Sequence, residues 1–167
     1  MTQASATVRR FGDDIDTDVI IPAIYLTSHR PEVLARHCME PLDPEFAARV
    51  RPGDVLVAGR NFGCGSSREH AVLALQAAGI SCVVAESFAR IFFRNALNNG
   101  LPLVVCPDAV RDAREGDAIR VDLDGGQVWL GARAYPFPVH PPFLAGMIRQ
   151  GGLVEYVRRR LAETGPD

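Results

Sequence analysis

Asp54-Val55-Leu56-Val57-Ala58-Gly59-Arg60-Asn61-Phe62-Gly63-Cys64-Gly65-Ser66-Ser67-Arg68-Glu69-His70 is the stretch that decides the fold. Asp54 to Ala58 is a short, nearly continuous apolar run, which is how a strand buried on both faces reads. From Ser66 to Ala78 the apolar positions recur with helical spacing, and Gly79 stands where a left-handed cap would end that helix. Between the two lies a glycine-rich loop. A strand, a tight loop and a helix in that order predict half of a βαβ unit.

Working outward, the alternation continues. Cys82 to Ala85 reads as a strand, Phe88 to Asn98 as a helix ending before Gly100, and Leu103 to Cys106 as a further strand. A βαβαβ run with short apolar strands implies a parallel sheet with right-handed crossovers. Past Asp108 the pattern changes: Ala118 to Leu123 and Gln127 to Leu130 flank Asp124-Gly125-Gly126, a hairpin signal, so a short antiparallel section is expected. Leu144 to Gln150 and Leu153 to Ala162 read as closing helices. Upstream, Thr7 to Arg10 reads as a strand, Gly12 to Asp18 as an acidic loop, Pro31 to Met39 and Pro44 to Val50 as short helices with proline near the first turn, and Arg51-Pro52-Gly53 as a turn. No repeat, low-complexity tract or linker divides the chain. The expectation is one α/β domain over residues 1–167.

Composition narrows the classes of function. Of 167 residues, 47% are hydrophobic and 23% charged, with 18 basic against 20 acidic side chains and a net charge of -2. A chain of this length buries ~two-thirds of its unfolded surface and forms a core without disulfides. A near-neutral balance argues against a nucleic-acid domain, which draws on excess Lys and Arg. Met1 to Phe11 has no apolar segment of the secretory kind. The apolar run Val19 to Leu26 is broken by Pro22 and falls far short of the ~20 residues that span a bilayer. No membrane association is expected, and the location expected is cytoplasmic. The four cysteines, Cys38, Cys64, Cys82 and Cys106, form no C-x-x-C pair, so they read as reduced thiols rather than metal ligands.

The loop offers chemistry as well as topology, because ligands of parallel sheets collect beyond the carboxyl ends of the strands. A P-loop requires a lysine that this stretch lacks, and a dinucleotide fingerprint requires a glycine where Arg68 stands. Ser66-x-x-Glu69 reads as a capping box. Capping does not account for Arg68, a cation in a first turn where the helix dipole favours anions. A planar fork suited to a carboxylate does account for it. Gly63-Cys64-Gly65 also permits a nucleophile-elbow reading with a dipole-activated Cys64, but His70 lies on the same helix start rather than facing the thiol.

Asn61 to His70 (NFGCGSSREH), with Glu86-Ser87-Phe88-Ala89-Arg90-Ile91-Phe92, Asn98-Asn99-Gly100-Leu101-Pro102, Asp16-Thr17-Asp18, Ile21-Pro22-Ala23 and Tyr25-Leu26, resembles the small subunits of 3-isopropylmalate dehydratases, the swivelling domain of the aconitase superfamily. The resemblance runs from about Val8 to the terminal helices. It implies a swivelling β/β/α three-layer domain that closes over a large subunit carrying a [4Fe-4S] cluster. It also implies no cofactor in this chain, a small hydroxy-dicarboxylate substrate, and an isolated subunit able to self-associate.

Residue by residue, the resemblance implies Ser66 as an alkoxide base, Arg68 as the grip on a substrate carboxylate, and Thr17 and Asp18 as an active-site loop. Asp18 would orient a histidine of the partner subunit, and Ser67 would donate to substrate or loop. Thr27, after the Tyr25-Leu26 pair, stands where homoaconitase-like relatives tend to carry an arginine. A small neutral residue there favours an isopropyl group over an additional carboxylate. Arg30 is close enough in sequence to reach the same region, and 2,3-dimethylmalate would fit a neutral pocket as well. A domain that binds a small anion without chemistry is the alternative from another class.

Overall fold

The computed structural model describes residues 6–165, so the part of the amino-terminal reading that concerns residues 1–5 lies outside it. Strands β1 (Ala6–Arg10), β2 (Val55–Ala58), β3 (Cys82–Ala85), β4 (Leu103–Val105), β5 (Ala118–Asp122), β6 (Gln127–Leu130) and β7 (Arg133–Pro136) form one seven-stranded sheet in the order β4-β3-β2-β1-β5-β6-β7. β1 to β4 are parallel, whereas β5 joins β1 antiparallel and β6 and β7 continue as antiparallel hairpins.

Side chains alternate across a strand, so the parallel section has two buried faces. Leu56, Ala58, Val83, Ala85 and Leu103 pack with residues of α1 (Thr17–Ile20), α2 (Pro31–His37), α3 (Phe46–Arg49), α4 (Glu69–Ala78) and α5 (Arg90–Asn98), among them Ile20, Leu34, Phe46, Leu75 and Phe92. Strands β1 to β4 are added successively in one direction, so crossovers of one hand all lie on that face. Val55, Val57, Val84 and Val104 pack the other way, against Ile119, Val128, Tyr135 and Phe137. Those partners lie on or beside β5 to β7, which are not neighbours of β2 to β4. The sheet therefore curls over itself, and the layering is helices, parallel sheet, antiparallel sheet. Both faces of β2 and β3 are dry, which is why those strands read as unbroken apolar runs.

Several elements depart from the sequence reading. The helix after the glycine loop begins at Glu69 with Arg68 at its N-cap and no side-chain cap bond, so the expected Ser66–Glu69 capping box does not form. The acidic stretch is a loop as expected up to Asp16, and Thr17 and Asp18 open α1. Asp16 caps α1, its Oδ1 accepting from the Asp18 N–H at 2.8 Å. α6 (Pro107–Asp112) and β7 are additional elements, and α7 (Pro142–Arg149) and α8 (Leu153–Thr164) close the described chain. The hairpin at Asp124-Gly125-Gly126 is present, with the Gly126 N–H donating to the Asp122 carbonyl at 2.9 Å.

Candidate active site

The loop from Gly59 to Arg68 leaves the carboxyl end of β2 and is tied down on both sides. On one side the Gly63 N–H donates to the Ile15 carbonyl at 2.8 Å and the Thr17 N–H to the Cys64 carbonyl at 2.9 Å. On the other, the Phe62 N–H donates to the Ser87 carbonyl at 3.1 Å and the Ala89 N–H to the Phe62 carbonyl at 2.9 Å. The loop is thus stitched between α1 and the segment leading into α5. Space dictates two of its glycines, both at positive φ: a Cβ on Gly63 would lie 2.1 Å from Cγ of Phe92, and one on Gly65 2.5 Å from Oδ2 of Asp16.

These restraints turn Ser66, Ser67 and Arg68 outward as a group. The Thr17 hydroxyl, on a side chain buried beneath the loop, donates to the Ser66 carbonyl at 2.9 Å. The Ser66 hydroxyl is exposed, and among the described residues no hydrogen bond engages it. Ser67 is also exposed, and its Oγ accepts from Asn95 Nδ2 of α5 at 3.3 Å. Arg68 is largely buried, its side chain only 16% exposed, and its Nη1 forms an ion pair with Asp18 Oδ1. The same nitrogen reaches the Ile21 carbonyl at 3.5 Å. Asp18, Ser66, Ser67 and Arg68 therefore share one rim, with Thr17 buried beneath it.

Thr27 is exposed on the turn after the 3₁₀ segment Ala23–Tyr25, which the ring of Tyr25 anchors by stacking on His37, centroids 3.8 Å apart. Nothing in the structure joins Thr27 to Ser66 or Arg68 directly. Arg30, exposed as well, pairs with Glu32 at 2.8 Å. Sequence reasoning missed three participants. Asp16 was legible as an N-cap from Asp-Thr-Asp before an apolar run. Asn95 and the close approach of Phe92 had no local signal, because each meets the loop across about thirty residues of sequence.

Cys64 is not the activated thiol that the reading allowed. Partial burial, with Asp16 and Asp14 nearby, pushes its pKa up, and it precedes the helix start by five residues. Cys38 lies in the helix-side core, Cys82 and Cys106 in the inter-sheet core; burial pushes Cys38 up strongly and Cys82 to about 12. Among the described residues no three His, Cys, Asp or Glu side chains gather into a metal-holding group. Thiols so dispersed, and so costly to ionise, do not fit an iron-sulfur cluster. Among the described residues no helix is long and apolar enough to cross a membrane.

The model of the aconitase C-terminal domain matches residues 31–107, a span that includes the β2–α4 loop with its serines and arginine, and this places the chain in the aconitase superfamily. The similarity extends through nearly the whole chain. It is 54% identical over 158 residues to the 3-isopropylmalate dehydratase small subunit of Heliobacterium modesticaldum, covering 93% of this chain and 95% of that one. It is 57% identical over 152 residues to small subunit 1 of the Methanopyrus kandleri enzyme, covering 89% of each. A crystal structure of 3-isopropylmalate dehydratase from Methanocaldococcus jannaschii matches with a TM-score of 0.90 at 40% identity, over 96% of this chain and 98% of that one. The chain belongs to the family of 3-isopropylmalate dehydratase small subunits.

Proposed function

We propose that this chain is the cluster-free half of a hydro-lyase that interconverts 2-isopropylmalate and 3-isopropylmalate in leucine biosynthesis, in the cytoplasm, and that it is inactive without a large subunit holding a [4Fe-4S] cluster. The observation that carries the reading is the pairing of an exposed, unengaged Ser66 hydroxyl with a buried guanidinium that already holds a carboxylate. The cluster, when bound by the partner, supplies the Lewis acid that a departing hydroxide requires.

This chain supplies the base and one carboxylate grip. Arg68 offers a planar fork whose Nη1 Asp18 engages, and a substrate carboxylate exchanges with Asp18 at that edge. Asp18, released, is then free to orient a histidine of the partner subunit.

Ser66 takes the carbon-bound proton. A helix N-terminus contributes about 0.3 to 1 kcal/mol to an adjacent anion, and one pKa unit corresponds to about 1.36 kcal/mol. With α4 starting at Glu69, Ser66 lies before the first turn and gains less than that. Its basicity must come from exclusion of water on closure and from positive charge brought close. The exposed rim is consistent with a site completed by a second polypeptide. Ser67, held by Asn95, donates to substrate or loop. Thr27 leaves the substrate loop neutral, which suits an isopropyl group and disfavours the additional carboxylate of homocitrate.

Reconstitution with the large subunit, assayed on 2-isopropylmalate, homocitrate and 2,3-dimethylmalate, tests the proposal. Activity only in the mixture, greatest on 2-isopropylmalate, is expected. Ser66→Ala should lower kcat by at least ~10²-fold while folding and complex formation persist. Activity of the chain alone, or an active Ser66→Ala complex, would overturn it.

A further inference from the structure

The two sides of the catalytic rim differ in how they use charge. On the α1 side every carboxylate is engaged within the chain. Asp13 Oδ1 accepts from the Arg60 N–H at 2.7 Å, Asp14 Oδ1 from Asn61 Nδ2 at 3.1 Å, Asp16 Oδ1 from the Asp18 N–H at 2.8 Å, and Asp18 pairs with Arg68. On the α5 side stand Arg90 and Arg94. Both are exposed, and among the described residues neither makes a hydrogen bond or an ion pair. Arg90 occupies the first helical position after the Ala89 cap, where the dipole disfavours a cation.

Helical geometry fixes where these side chains point. Phe92 and Ala96 of α5 are buried in the core, and Asn95 holds Ser67. Arg90 and Arg94, one turn apart, lie on the side opposite Phe92 and Ala96. Ile91, one turn before Asn95 on the loop-facing stripe, is 52% exposed. Side chains lean toward a helix N-terminus, and this N-terminus issues from the carboxyl end of β3, beside the loop that issues from β2. The backbone bonds at Phe62 bind those two segments together. The stripe is therefore continuous with the mouth that contains Ser66.

We infer that Arg90 and Arg94, flanked by Ile91 on the side of the Ser66 loop, form the docking stripe for an acidic surface of the large subunit, with Ile91 covered in the complex. This rests on the two-subunit reading above and adds the chemistry of the partner's face. A charged rim of this kind chiefly governs association rate and register, and its contribution falls with salt. Charge separation across the mouth, basic at α5 and spent at α1, would admit one orientation of the partner.

The test is the affinity of the full chain for its cognate large subunit at several salt concentrations. Arg90→Glu/Arg94→Glu should weaken the complex at least tenfold at low salt and flatten its salt dependence, while kcat at saturating large subunit stays near that of the unaltered protein. Ile91→Ser should weaken it as well, without altering the salt slope. Arg114→Glu/Arg120→Glu, the same charge change at exposed arginines on the antiparallel side of the sheet, unpaired among the described residues, should leave affinity unchanged. If the unaltered chain forms no complex, the two-subunit reading falls; if it forms one that the Arg90/Arg94 reversal leaves untouched, only this stripe is overturned. Circular dichroism establishes that each variant is folded.

Discussion

The Thr17 hydroxyl donates to the carbonyl of Ser66 across 49 residues of sequence, at 2.9 Å and with Thr17 itself 2% exposed. One buried side chain on α1 thereby sets the backbone of the residue proposed as the base. The bond is partly buried, and removing its donor costs about 0.5 to 1.5 kcal/mol. Thr17→Val should lower unfolding free energy in urea by that amount and lower kcat of the reconstituted enzyme. Thr17→Ser, which keeps the hydroxyl, should recover most of both.

Arg68→Lys keeps a positive charge but loses the fork. An ammonium cannot hold a carboxylate through two parallel bonds, so kcat/KM should fall by ~10²-fold with the charge unaltered. Thermal stability should change little, because the ion pair with Asp18 has one well-exposed member. Equal kcat/KM for the two proteins would remove Arg68 from substrate binding.

Gly63→Ala drives a methyl group into the Phe92 ring and asks an L-residue to hold φ 83°. Overpacking and the left-handed backbone together cost about 2 to 4 kcal/mol. Loss of stability should be accompanied by loss of activity. Gly63→Ala/Phe92→Ala, which clears the space, should recover activity more than stability.

Asp13 is held below the usual carboxylate range by bonds from the Arg60 backbone N–H and side chain. Its folded pKa is depressed, so its contribution to stability is present above the unfolded carboxylate pKa and is lost as pH falls through the folded value. Stability measured from pH 6 down to pH 2 should decline less steeply in Asp13→Asn than in the unaltered chain. The difference should be small and salt-sensitive, since the carboxylate is exposed.

The sheet was legible where its side chains are buried on both faces: Val55 to Ala58 and Cys82 to Ala85 need continuous apolar runs and declare themselves. The Asp124-Gly125-Gly126 turn was legible because its geometry is local. β7 was not, for Arg133 and Ala134 are exposed and carry no core pattern. The start of α4 was misplaced for a tertiary reason. Ser66 has the composition of a cap, but its carbonyl is taken by Thr17 and the Gly65 backbone before it is left-handed, so the helix waits until Glu69. The residue types of the site were readable in a line of sequence. Its supports, Asp16, Phe92 and Asn95, belong to other elements and are visible only once the chain is folded.

β1 joins the two halves of the sheet, parallel to β2 along Val8 to Arg10 and antiparallel to β5 at Ala6 and Thr7. During synthesis the amino-terminal strand leaves the ribosome first yet acquires its second neighbour only after residue 119 has emerged. Until then its β5-facing edge stays open to other extended chains. Speed of translation between β1 and β5 thus bears on how much of the protein is rescued from aggregation, independently of how stable the finished fold is.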